Sequence, residues 1–202
     1  MNKISIDEGL EIARRLGLTI YDHKFGNSSN SNLQGVLPEI VDVARLTIRL
    51  CQFDGTIISG GGLRTQEQAD QNAANGTGVS NSRHLRQSDG YGHAVDVVPY
   101  VGRATWDLKY AKPMANAMKI ASAILNVPLR QGCDWNMNGT FAENNEHDWC
   151  HGENPVDKYK AAAVAELQRF RRVLGIENLE DQTALANCEC PVCGAGLQLS
   201  AV

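Results

Sequence analysis

One carboxylate constrains this chain more than any other feature. Residues 94–98, Ala-Val-Asp-Val-Val, form a short β-branched run closed by Pro99 and read as a strand. Asp96 sits in the middle of it. A carboxylate in an apolar strand must be paired, hydrogen-bonded or bound to a metal, because burying a bare charge is costly. The strand is fed by a polar, Gly-rich loop, residues 82–93, that carries His84. A second His/Asp group, Asp148-Trp149-Cys150-His151, follows much later. Two histidines and one aspartate from two distant segments suit a catalytic zinc, which takes three protein ligands and keeps one position open.

The length, 202 residues with 43% hydrophobic content, supports one domain with a real core plus a tail. The net charge of −4 leaves no basic excess, which argues against nucleic acid as a partner. The first residues carry no apolar h-region, and no run approaches the ~18 apolar residues of a membrane helix. Synthesis in a cytosol, without a signal peptide or stable membrane association, is the expectation. Cys51 fits the core face of a helix, and Cys133 and Cys150 fall near the proposed site. The crowding of Cys188, Cys190 and Cys193 near the end is unlike a disulfide scaffold.

Periodicity predicts a weak amphipathic helix over 6–18, then a polar loop over 26–32. A helix over 38–51 opens with Pro38, whose missing N–H costs nothing in a first turn. A strand over 53–59 leads to Gly60-Gly61-Gly62, which permits a tight backbone path. Thr65 with Gln68 three residues on predicts a capping box and a polar helix to about 75. Residues 103–125 contain a helix whose main part starts at Pro113. A strand over 127–129, a strand or turn over 148–151, and a helix from Asn154-Pro155 to about 174 complete the pattern. The fold class expected is α+β, a small antiparallel sheet with flanking helices around a single zinc site. Asp148 and His151 are three apart, which places them on opposite faces of a regular strand. They share one site only if the backbone bulges there.

The residues resemble a known family. Ser82, His84, Gly92, Ala94 and Asp96 match a Ser-x-His…Gly-x-Ala-x-Asp motif, and Asp148 with His151 matches Glu/Asp-x-x-His. Residues 59–65, Ser-Gly-Gly-Gly-Leu-Arg-Thr, resemble the Ser-Gly-(Tyr/Leu)-Arg-Thr stretch of the same family. It is that of the zinc D-alanyl-D-alanine carboxypeptidases and L-alanyl-D-glutamate endopeptidases, which includes phage endolysins and vancomycin-resistance D,D-peptidases. The resemblance covers roughly residues 33–153. It implies that His84, Asp96 and His151 hold Zn2+ and that Asp148 is the general base. It also implies that Arg64 binds a substrate carboxylate or the developing oxyanion, with Ser82 beside it. Two departures stand out. His84 and Asp96 are twelve positions apart, five more than is usual in the family, which adds a loop over 86–91. Gly152-Glu153 follows His151 where the family often has an aromatic residue and then Glu.

The layout expected is an N-terminal helical extension over 1–32, a zinc peptidase domain over 33–176 and a cysteine-containing tail over 177–202. The implied activity is hydrolysis of an amide in the peptidoglycan stem peptide, with L-alanyl–D-glutamate the first choice. The enzyme would reach the wall after release from the host cytoplasm or from a virion. Two alternatives stay open: a D-alanyl-D-alanine carboxypeptidase, and a non-catalytic wall-binding or structural phage component. Individual residues also have plainer readings. Asp96 could pair with an arginine, and Arg64 could serve a helix-start ion pair. Glu143 and Glu146 rival Asp148 as base, and His147 could support the site from behind. His93, at an odd offset from Asp96, reads as a non-ligand, and His23 as a surface residue. Cys-Pro-x-Cys-Gly over 190–194 resembles half of a zinc ribbon but lacks a nearby fourth ligand.

Overall fold

The computed structural model describes residues 3–139 and 148–179. Helix α1 (Ile6–Arg15) opens with a capping box between Ser5 and Glu8 and turns Gly9 and Ala13 inward. α2 (Asn27–Asn32) follows, then α3 (Pro38–Leu50), which starts on Pro38 and buries Ile40, Val43, Leu46 and Ile48. β1 (Asp54–Thr56) leads through the glycine run to α4 (Gln66–Ala74), and the Thr65/Gln68 capping box is in place. β2 (Ala94–Asp96) and β3 (Val98–Tyr100) are separated only by Val97. α5 (Leu108–Leu125), β4 (Arg130–Gly132), β5 (Asp148–Glu153) and α6 (Asp157–Leu174) complete the chain.

Two small antiparallel sheets result, β1-β3 and β2-β5-β4. The core lies between them and the helices. α3 packs along α5, and α5 also backs β5. Ile40, Val43 and Leu46 meet Met114, Met118 and Ile124, with Val95 and Val97 from the strand region in the same cluster. Fully burying side chains of this size is worth about 1.5–3 kcal/mol each. Ala13 belongs to the same cluster, and α1 rests on α3 and α5. The α+β class with a small antiparallel sheet and flanking helices holds.

Several local expectations are corrected. The stretch 26–32 is not a loop but contains α2. Its Asn and Ser residues are weak helix formers, yet tertiary hydrogen bonds select the helix. The buried Ser29 hydroxyl bonds Thr56 Oγ1 (3.0 Å) and accepts from Ile57 N (3.1 Å), and Asn32 Nδ2 donates to Ile57 O (2.8 Å). The same bonds take Ile57 out of the strand, so β1 is shorter than 53–59. α5 begins at Leu108, capped by Asp107, and Pro113 lies inside it rather than at its start. The strand expected at 127–129 falls at Arg130–Gly132 because Val127 closes the preceding helix. Its N–H bonds Ser122 O (3.0 Å), after Asn126 turns left-handed at φ 57°. α6 starts at Asp157 without a side-chain cap. Cys51, Cys133 and Cys150 are buried free thiols. Glu143, Glu146 and His147, and the tail cysteines Cys188, Cys190 and Cys193, lie outside the described residues.

Candidate metal centre and active site

The site grows from the pairing of β2 with β5. Asp96 lies directly opposite His151 in the antiparallel register, so the two side chains leave the same face. His151 Nδ1 is 2.9 Å from Asp96 Oδ1. His84 arrives from the loop before β2. Its Nε2 is 3.3 Å from Asp96 Oδ1 and 3.2 Å from His151 Nδ1. These three residues form the group among the described residues able to hold a metal ion. The two separations from His84 are close to the ~3.3–3.4 Å edge of a tetrahedron whose bonds are ~2.0–2.1 Å, as zinc makes with nitrogen and oxygen, and the His151–Asp96 pair at 2.9 Å is held closer, at hydrogen-bonding distance.

The far side of each imidazole sets its tautomer. His84 Nδ1–H donates to Gly62 O at 2.8 Å. His151 Nε2–H donates to Glu153 Oε2 at 3.1 Å. Both remaining nitrogens therefore aim lone pairs at Asp96 Oδ1, the arrangement that partners behind metal-bound histidines produce. Three acceptors facing one another call for a cation. Without a metal a proton answers that call. Burial works against protonation of His151, yet its bonds to Asp96 and Glu153 prevail and push its pKa up to about 10. Burial likewise opposes ionisation of Asp96, but the charges and hydrogen bonds of His84 and His151 hold its carboxyl far below the ordinary range.

Gly62 is needed where it stands. A Cβ there would run into the backbone oxygen of Asn32, so only glycine lets the loop carry its carbonyl to His84. Arg64 completes the rim. Its Nε donates to Gly60 O (3.0 Å) and its Nη1 to Ser82 Oγ (3.4 Å), while Nη2 lies 3.5 Å from Asp96 Oδ2. Ser82 Oγ also accepts from His84 N at 3.3 Å, so this hydroxyl joins the histidine loop to the arginine.

The bulge needed to bring Asp148 round is present. Gln131 pairs with Gly152, and the next residue, Gly132, pairs with Asp148, so β5 makes up three extra residues between them. A Cβ on Gly132 would sit 2.5 Å from Asp148 O, and only glycine admits that approach. Asp148 is exposed, and it lies within reach of the charges of Asp96, His151, His84 and Arg64. Desolvation by its surroundings, then the negative charge of Asp96, raises its pKa above the usual carboxylate value, while His151, His84 and Arg64 pull it back. A carboxylate so placed is suited to taking up a proton and giving it away.

A profile of phage L-alanyl-D-glutamate peptidases matches residues 21–154. The chain belongs to that family. It is 38% identical over 124 residues to the L-alanyl-D-glutamate peptidase of Escherichia phage T5, spanning 58% of this chain and 85% of that protein. The crystal structure of the Serratia marcescens L-Ala D-Glu endopeptidase ChiX superposes with a TM-score of 0.53 at 25% identity. That match covers 69% of this chain and 96% of the other.

The structure also bears on the inserted loop of this family member. Residues 86–91 close on themselves. Arg86 bridges Gly92, Gln87 N donates to Tyr91 O (2.7 Å), and Gly90 turns at φ 90°. His93 faces this hairpin rather than the triad. Its ring lies 2.7 Å from Asp89 Oδ2 and 2.6 Å from Arg83 Nη2. The insertion thus projects as a pinned turn and leaves the His84–Asp96 geometry intact. Sequence reasoning missed Glu153 and Arg130. Glu153 is 2% exposed and takes two bonds from Arg130, whose guanidinium stacks between Trp135 (4.9 Å) and Tyr159 (4.6 Å). The argument already applied to Asp96, a carboxylate in a buried strand, would have singled out Glu153.

Proposed function

We propose that this chain is a zinc-dependent hydrolase of the peptidoglycan stem peptide and cleaves the amide between L-alanine and D-glutamate. The observation that carries the reading is the pair of imidazoles whose far N–H groups are tied to Gly62 and Glu153. Their free nitrogens are thereby fixed on Asp96 Oδ1. In this reading His84, Asp96 and His151 hold the metal. When bound, zinc supplies Lewis-acid activation of a water at neutral pH. Asp148 accepts a proton from the attacking water as the water oxygen bonds to the alanyl carbonyl carbon. It then delivers that proton to the glutamyl nitrogen as the C–N bond breaks. Arg64 keeps a fixed positive charge at the rim for the substrate carboxylate, and Ser82 steadies it. Glu153, held by Arg130, keeps His151 in the ligating tautomer.

The family match favours the endopeptidase over the D-alanyl-D-alanine carboxypeptidase, and an exposed Asp148 carboxylate within reach of the charges of His84, Asp96 and His151 favours a catalyst over a wall-binding component. Among the described residues no helix is long and apolar enough to cross a membrane. Digestion of purified peptidoglycan followed by end-group analysis tests the reading. A new N-terminal D-glutamate is expected. Free D-alanine, or binding without turnover, would overturn it.

A further inference from the structure

A groove of about 300 Å³ runs along α4 and shares Arg64 with the metal site. Its wall is formed by Ser59, Gly60, Arg64, Glu67, Gln68 and Asn72. The volume is at the lower end of ligand pockets, and apart from one glycine the residues around it are polar or charged. Arg64 has five N–H groups. Gly60, Ser82 and Asp96 engage three, which leaves one on each Nη. One turn further along α4 stands Glu67, exposed and ionised. Hydrogen bonds from its own backbone N–H and from Thr65 hold its carboxyl below the ordinary range. Gln68 accepts from Thr65 N through Oε1 (2.9 Å), so its amide nitrogen remains free to donate. The groove therefore presents a cation at its triad end and an anion, with amide groups beside it, one turn further along α4.

The stem peptide beyond the scissile bond carries the complementary charges: the carboxylate of D-glutamate, and further on a diamino acid with a side-chain amine. We propose that the α4 groove binds the leaving half of the stem, with Arg64 on the D-glutamate carboxylate and Glu67 on the free amine of the diamino acid. This rests on the activity proposed above and adds a preference to it. Cross-linking acylates that amine and removes its charge, so the enzyme favours stems that are not cross-linked at this position.

The test uses the full chain with zinc and two soluble stem peptides, alike except that the side-chain amine is free in one and N-acetylated in the other. Glu67 is exposed and its carboxylate serves no core contact, so Glu67→Gln is expected to fold. In wild type kcat/KM is expected to be about three- to fivefold higher for the free amine, the range of an exposed ion pair. The ratio should shrink toward one near 1 M salt, where the screening length is about 3 Å. In Glu67→Gln the ratio should be close to one at any salt. A wild-type ratio of one, or an undiminished ratio in the variant, would overturn the groove assignment while leaving the activity intact. Failure of wild type to release L-alanine from either peptide would instead bring down the activity, and this inference with it.

Discussion

The two halves of the candidate metal centre are held by different means. Asp96 and His151 are fixed by backbone register, as neighbours across the β2–β5 ladder. His84 and Arg64 come from loops, fixed by single hydrogen bonds to Gly62 O, Gly60 O and the Ser82 hydroxyl. The ladder half is backed by the core, with Gly152 of β5 lying against Met118 of α5. The loop half is backed by other loops: Arg64 N donates to His84 O, and Leu63 N to Asn32 O. A ladder imposes position without help from any one side chain. A loop depends on each of its tethers.

The largest effect expected is the one that ignores this difference. His84→Ala and His151→Ala should each cut peptidoglycan hydrolysis by on the order of a thousandfold or more, since a catalytic metal is worth several kcal/mol. Comparable activity in either variant would break the triad. Asp148→Asn should lower kcat by about 10²–10⁴ while the metal stays bound, because it removes proton transfer and no ligand. Loss of metal in that variant would show that Asp148 supports the ladder instead.

Next comes a comparison of the supports. Glu153→Gln should weaken metal affinity by about 10–100-fold, measured by chelator competition. Ser82→Ala should weaken it through the loop half, and its effect on His84 and Arg64 should appear together as a lower affinity and a higher KM. If Ser82→Ala changes neither, the loop is held by its backbone bonds alone.

The smallest effect lies in pH dependence. The folded pKa of His151 is raised from 6.5 to about 10, so its contribution to the stability of the metal-free protein is full below about 6.5 and is lost as pH rises through about 10. Asp96 is depressed, so its contribution is present above its unfolded value of 3.8 and is lost only in stronger acid. Melting of the metal-free protein should therefore weaken between pH 6.5 and 10. A flat profile across that range would contradict the hydrogen bonding assigned to His151.

How legible the chain was follows the same division. Asp96 announced itself because a charge in an apolar strand needs a partner, and the spacing of Asp148 and His151 demanded the bulge that β5 contains. The Thr65–Gln68 box was readable because both partners lie within one turn. α2 was not, because its Ser and Asn side chains gain their value from Thr56 and Ile57, distant in sequence. The clamp on Glu153 was hidden for the same reason. Arg130, Trp135 and Tyr159 come from three segments, and none is unusual where it stands. Local patterns show up in the sequence, while partnerships made by folding do not.

The central claim is that His84, Asp96 and His151 together hold one divalent metal. Metal analysis of the dialysed protein, beside the variants His84→Ala, Asp96→Ala and His151→Ala, tests it most directly. One zinc per wild-type chain is predicted, with binding lost in all three variants and their circular dichroism unchanged. Zinc retained at wild-type affinity by any of the three would contradict the account.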